Sequence, residues 1–207
     1  MNLLKKTAAG IMVLVLLLGV CGCAKRFSLD IVKDIAEVCG LEETGDVDRI
    51  AKDIHGRLDY NELVYCYTDK PAKAQRIYDD IYNKSNTYPK VKVKAAAVMY
   101  SNVINSDEKA ISEYVFVFTF KNSKKAYEFF HDTEDGFKVM DHKEGKDKYE
   151  YIILTGHNDQ ATLLFGAYLD GDTVVILSGS GYKINDCTLI DRFCQKTEII
   201  SPETLLK

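Results

Sequence analysis

The chain has no tryptophan and only three prolines among its 207 residues. Proline this sparse excludes a Pro-rich stalk. A hydrophobic content of 46%, with 13 Tyr and 9 Phe, excludes a disordered chain, because such a composition buries enough apolar surface to fold. The four histidines, His55, His131, His142 and His157, form no His-x-x-x-His pair, and no Cys-x-x-Cys occurs. The usual zinc spacings are therefore missing. Gly-x-x-x-x-Gly-Lys and Gly-x-Ser-x-Gly are missing too, which removes the phosphate loop and the nucleophile held on a strained turn. No catalytic residue, cofactor or metal ligand is predicted. Positive charge is not in excess, at 27 Lys and Arg against 31 Asp and Glu. This argues against nucleic acid, whose phosphates require clustered Lys and Arg. After Cys23 no run is long and apolar enough to span a bilayer.

What the chain does have is an N-terminal address. Lys5 and Lys6 precede an uncharged apolar run, Ala8 to Val20, which ends in Val20-Cys21-Gly22-Cys23. The run holds roughly 13 residues, short of the roughly 20 a membrane span needs and suited to the core of an export signal. The ending resembles the lipobox of bacterial lipoprotein signal peptides. That resemblance implies cleavage before Cys23 and a diacylglyceryl group on its sulfur. Cys21 competes, but cleavage there would follow Val20, which is bulkier than Gly22. The implied protein loses residues 1–22 and is held by lipid on Cys23 at the extracytoplasmic face of the cell membrane. Two acyl chains on one sulfur meet the two-signal requirement for stable anchoring. Losing Lys5 and Lys6 makes the formal charge of −4 more negative. Residues 23–207 have the length of one ordinary domain.

Four further cysteines, Cys39, Cys66, Cys187 and Cys194, permit three disulfide connectivities outside the cytoplasm. If Cys187 and Cys194 share a helix, they lie about 10 Å apart, beyond the roughly 7 Å a disulfide spans. Cys39 and Cys66 sit among apolar residues, where free thiols commonly pack. Buried thiols and one or two bridges both remain open.

Local signals place most elements. Ser28 caps a helix over 28–40 that Gly40 stops, with Leu29, Val32, Ile35, Ala36 and Cys39 on one face. Asp46 caps a second, ending at Gly56. Leu63-Val64-Tyr65-Cys66-Tyr67-Thr68 reads as a strand. Pro71 opens a helix bearing Ala74, Ile77, Tyr78 and Ile81, and 91–101 returns as a strand. Tyr114-Val115-Phe116-Val117-Phe118-Thr119-Phe120 is apolar on both faces and reads as a central strand. Asn122 caps a helix with Ala126, Phe129 and Phe130. Residues 131–147 read as a polar loop, followed by strands over 148–155, 162–168 and 173–177. Asp170-Gly171 marks the tight turn between the last two. A final helix runs from Asn185 to about Lys196.

These elements predict an α+β fold, a mainly antiparallel six-stranded sheet with helices on one face. Val64 to Lys70 and Val115 to Lys121 match at an offset of 51, becoming 52 where Ala74, Ile77 and Tyr78 meet Ala126, Phe129 and Phe130. This pattern fits a duplicated strand-helix-strand unit with halves at about 27–105 and 106–207. It equally fits any strand leading into an amphipathic helix.

Three surface clusters invite a functional reading. His131, Asp132, Glu134, Asp135, Asp141 and His142 crowd the predicted loop. They lack the spacing of a calcium loop, so a solvated loop is expected. Ser178-Gly179-Ser180-Gly181 is expected to be a flexible connection. Lys90, Lys92 and Lys94 alternate onto one face, either as a water-facing row that discourages edge pairing or as a contact for anionic headgroups or wall polymers. Seven tyrosines, Tyr60, Tyr65, Tyr67, Tyr78, Tyr82, Tyr88 and Tyr100, suggest a binding face where partly exposed.

The order of elements also resembles a group of small lipoproteins of Gram-positive gut bacteria that have no established activity. Val20 to Cys23, Phe27 to Leu41, Val115 to Phe130, Tyr149 to Leu154 and Ala167 to Ile190 carry that likeness, and it brings no catalytic residues. The expectation is a non-enzymatic module that binds an envelope protein or other envelope component through the open face of its sheet. A small extracytoplasmic enzyme or a solute-binding lipoprotein are the alternatives, the first marked by a pocket that holds histidines with carboxylates.

Overall fold

In the computed structural model, residues 26–55, 62–104, 110–137, 142–146, 148–157, 161–181 and 188–206 are described. Cys23 and the rest of the N-terminal signal lie outside them, as do Tyr60, Asp141 and Cys187.

Helix α1 spans Leu29–Val38. Ser28 Oγ accepts from the Ile31 amide at 3.3 Å, the predicted cap. At the other end Gly40 adopts φ +70°. Its N–H donates to Glu37 O and that of Leu41 to Ala36 O, the Schellman closure that favours glycine there. Strand β1, Glu42–Glu43, leads to α2, Val47–His55, where Asp46 Oδ1 accepts from the amides of Asp48 and Arg49. Strand β2 spans Glu62–Thr68. Helix α3, Pro71–Arg76, passes directly into a π-helical turn, Ile77–Tyr82. That turn ends with the Asn83 amide donating to Tyr78 O, five residues back, at 2.7 Å.

Strands β3, Val93–Ile104, and β4, Ala110–Phe120, pair antiparallel. Helix α4 covers Ser123–Phe137, with Asn122 Oδ1 accepting from the Lys125 amide. Strands β5, His142–Lys146, β6, Glu150–His157, β7, Thr162–Asp170, and β8, Thr173–Gly181, follow. Gly171, at φ +61°, makes the β7–β8 turn in a conformation that a β-carbon would strain. Helix α5, Thr188–Thr197, and a 3₁₀ turn, Pro202–Leu206, complete the described chain.

The sheet has eight strands in the order β1-β2-β3-β4-β8-β7-β6-β5. This corrects the predicted six. The two additional strands lie at the edges, β1 with two residues and β5 reading His-Lys-Glu-Gly-Lys. Neither carries the apolar alternation that marks a half-buried strand. The sheet is also mixed, because β1 runs parallel to β2 while the other pairs are antiparallel.

Helices cover both faces, which corrects the one-sided layer. On one face Phe27, Ile35 and Ala36 from the α1 segment and Leu189, Ile190 and Phe193 from α5 meet Ala97, Met99, Val115, Val117, Val175 and Leu177. On the other, Ile50 of α2, Ile77, Tyr78 and Ile81 of the α3 segment and Phe129 and Phe130 of α4 meet Val98, Tyr100, Phe116, Phe118, Val174 and Ile176. The central strands therefore leave no open face for a partner. Buried on both sides, they read as continuous apolar runs. Ala74, Ile77 and Tyr78 and the matching Ala126, Phe129 and Phe130 are all buried on this same face.

Helix α5 is capped from a distance. Glu113 of β4, fully buried, accepts from the amides of Ile190 at 2.8 Å and Leu189 at 3.3 Å. Burial pushes its carboxyl up to about 7, against the pull of those two amides. Cys39, Cys66 and Cys194 are free thiols. Desolvation raises all three, Cys194 to about 12, so they pack as small apolar groups with little thiolate character.

Candidate functional site

The segment read as the polar loop 131–147 is two regular elements. Residues 131–137 are the C-terminal half of α4, and 142–146 are edge strand β5. The helical spacing Tyr127, His131, Glu134 turns these side chains toward β5 and β6. Cross-strand pairs His142 with Leu154, Glu144 with Ile152 and Lys146 with Glu150 set the opposing row on one face of the hairpin.

A chain of charged contacts results. Lys146 pairs with Glu150, Glu150 Oε2 lies 3.6 Å from His131 Nε2, and His131 Nδ1 contacts Glu134. The Tyr127 ring lies 4.1 Å from the imidazole and the Phe130 ring 5.3 Å, edge-on. His131 is thus clamped between two carboxylates and two aromatic rings. Further along the seam His142 Nε2 sits 3.9 Å from Glu144 Oε2. Asp132 and Asp135 are exposed and take no part in the clamp. The side chains of His55 and His157 lie outside those described. Among the described residues no three His, Cys, Asp or Glu side chains converge to hold a metal.

Two recesses adjoin this seam. A cavity of about 490 Å³ is bounded by Lys124, Tyr127, Lys148, Tyr149, Glu150 and Asp170. A second, of about 310 Å³, lies beside Phe130, Glu134, Glu144 and Tyr151. Gly145 lets the Tyr151 ring lie across the strand there, since a β-carbon at 145 would come within 2.6 Å of it. The first recess sets aromatic walls beside both lysines and carboxylates, and the second is bordered mainly by carboxylates. The first therefore suits a ligand with an apolar body and polar ends.

Of the sequence candidates, the structure brings His131, Glu134 and His142 onto this seam, while Asp132 and Asp135 are exposed. Tyr127, Lys146, Lys148, Tyr149 and Glu150 escaped the sequence reading. Their signal was the alternation of His142, Glu144 and Lys146, a strand pattern with no apolar phase. Ser178 to Gly181 is not a flexible connection. It belongs to β8 and pairs with β4 and β7.

Part of the tyrosine-rich stretch is core, and Tyr67, Tyr82 and Tyr88 keep partial exposure. Tyr78 and Tyr100 are fully buried, and Tyr65 is buried. Tyr82 stacks on Tyr88 at 4.6 Å and meets Phe116 and Phe118 edge-on. Tyr78 donates to Pro89 O at 2.6 Å. Tyr127, outside that stretch, is the exposed tyrosine among the described residues, at 48%.

No family model matches this chain, and no curated protein matches it. It is similar in structure to the extracellular domain of PknH from Mycobacterium tuberculosis, at 15% identity and a TM-score of 0.36, over 68% of this chain and 79% of that one. No helix among the described residues is long and apolar enough to cross a membrane.

Proposed function

We propose that this chain is a lipid-anchored extracytoplasmic protein, held through a diacylglyceryl group on Cys23, and a binding module for an envelope component at the cavity beside α4. The observation that carries the reading is how soon the fold begins after that cysteine. Arg26 Nη1 donates to Thr197 O at 2.6 Å and Glu198 O at 3.1 Å, and its guanidinium lies 5.2 Å from the centre of the Tyr149 ring. Phe27 is buried against Phe193. A lipid on Cys23 would therefore hold the body directly at the bilayer, with no long tether between them. The cavity, which Tyr149 helps to form, would open beside the attachment point.

Cys23→Ala tests the anchor. The variant is expected to leave the membrane fraction or to be mislocalised, with its denaturation midpoint unchanged. Retention wholly in membranes would refute the anchor. In-cell crosslinking tests the binding site, and a reproducible envelope partner is expected that is lost when Tyr127 and Lys148 are both changed to Ala. A partner retained by that double variant would move the site elsewhere. A second reading, a small extracytoplasmic enzyme, draws on His131 held between Glu134 and Glu150. It expects a chemical change in a captured component that His131→Gln abolishes.

A further inference from the structure

The described chain is acidic in total, yet one end of the sheet is lined with lysine. Lys90 and Lys92 lead into β3, and Lys94 is the extra residue where its register shifts between Val93 and Ala95. Lys121 and Lys124 join β4 to α4, and Lys148 precedes β6. The antiparallel order brings all six to the same end, because β3 and β6 start there while β4 finishes there. All six are exposed. The charge of Lys124 reaches Glu128 and helps to hold its carboxyl low, after the nearer Lys125.

Two of the acids at this end meet cations, and Asp79 lines the recess beside Lys90 and Lys92. Asp170 is 3.8 Å from Arg26, Glu150 is held by Lys146 and His131, and Asp172 accepts from Thr173 Oγ1. Asp69 is exposed. From β3 to β6 there are four strand spacings, so the lysines spread over about 19 Å. Arg26 reaches the sheet at the β7–β8 turn, between the two flanks of this row. Cys23 is three residues before Arg26, a reach of no more than about 11 Å.

We infer that this lysine-lined end is a docking surface for the anionic phospholipid headgroups of the same membrane that holds the lipid of Cys23. The inference rests on the anchor proposed above. Exposed lysines on both sides of the attachment point would meet headgroup phosphates within a Debye length of the surface. The anchor confines the protein to the bilayer, and the lysines set which end lies down on it.

The test uses the mature lipidated protein in vesicles of phosphatidylcholine alone or mixed with phosphatidylglycerol, with lysine acetylation read by peptide mass spectrometry. On anionic vesicles, acetylation of Lys90, Lys92, Lys94, Lys121, Lys124 and Lys148 is expected to fall several-fold relative to neutral vesicles. Lys52 of α2 and Lys143 of β5 should be unchanged, and high salt should restore the signal. Equal labelling on the two compositions, in protein whose intact mass carries the lipid, overturns this inference alone. Protection by a soluble anionic wall polymer without protection by vesicles overturns it as well. An intact mass without lipid overturns the anchor and this inference with it.

Discussion

Phe118→Ala lowers the free energy of unfolding by about 3–5 kcal/mol, the range for deleting a fully buried aromatic ring. Phe118 has no exposed surface and lies on central strand β4, between Ala96 of β3 and Val174 of β8. Tyr78 and Tyr82 meet its ring edge-on at 5.4 and 5.2 Å, and Phe129 at 6.2 Å. Those rings belong to two different helical segments, each fixed by its own contacts with the sheet. They cannot collapse together into the space vacated, so the cavity cost adds to the lost transfer energy. Urea denaturation should show a lower midpoint with an unchanged slope. A loss below about 1 kcal/mol would mean that this ring is not at the centre of the core. Lys84→Ala, at an exposed position, is the control and should change stability by less than about 0.5 kcal/mol.

Glu113 makes stability depend on pH in the direction opposite to most carboxylates. Desolvation lifts its folded value to about 7 from an ordinary 4.5, with Asp191 and Glu203 adding to the lift. Between those values the folded protein binds the proton and the unfolded chain does not. The contribution of Glu113 to stability is therefore greatest below about 4.5, declines as pH rises through the window, and levels off above about 7. The shift corresponds to a change on the order of 3 kcal/mol. Glu113→Gln removes the titration and keeps an acceptor for the α5 amides. Urea midpoints measured from pH 4 to pH 8 should therefore show a gap between wild type and variant that moves by this amount across the window. Parallel curves would remove Glu113 as the source. Glu113→Ala leaves two buried amides without their acceptor, at about 1–3 kcal/mol each. It should fray α5 first.

The contrast between these two residues shows what was legible in the sequence. Phe118 announced itself, because a run apolar on both faces is a strand buried on both faces. The same run already required helices on each side, and the one-sided layer neglected that consequence. Glu113 gave no signal. Its partners, Leu189 and Ile190, are more than seventy residues away, and an isolated glutamate in a strand reads as a solvent-facing residue. The seam at His131 was half legible. The clustering of His131, Glu134 and His142 is plain in the chain, but Lys146 and Glu150 join them only when β5 folds back along β6.

By itself the sequence determined several of the points where elements start or turn. Ser28 with Gly40, Asp46, Pro71, Asn122 and Gly171 each act through a hydrogen bond or a backbone dihedral within a few residues, so no distant partner is needed. The central position of β4 was determined in the same way, by its own apolar faces. Only the tertiary structure decided the edge strands β1 and β5, the second helical layer, the burial of Tyr65, Tyr78 and Tyr100 and the gathering of lysines at one end of the sheet. The physical reason is the same in every case: these features arise from pairing and packing between residues far apart in the chain, where local periodicity carries no information.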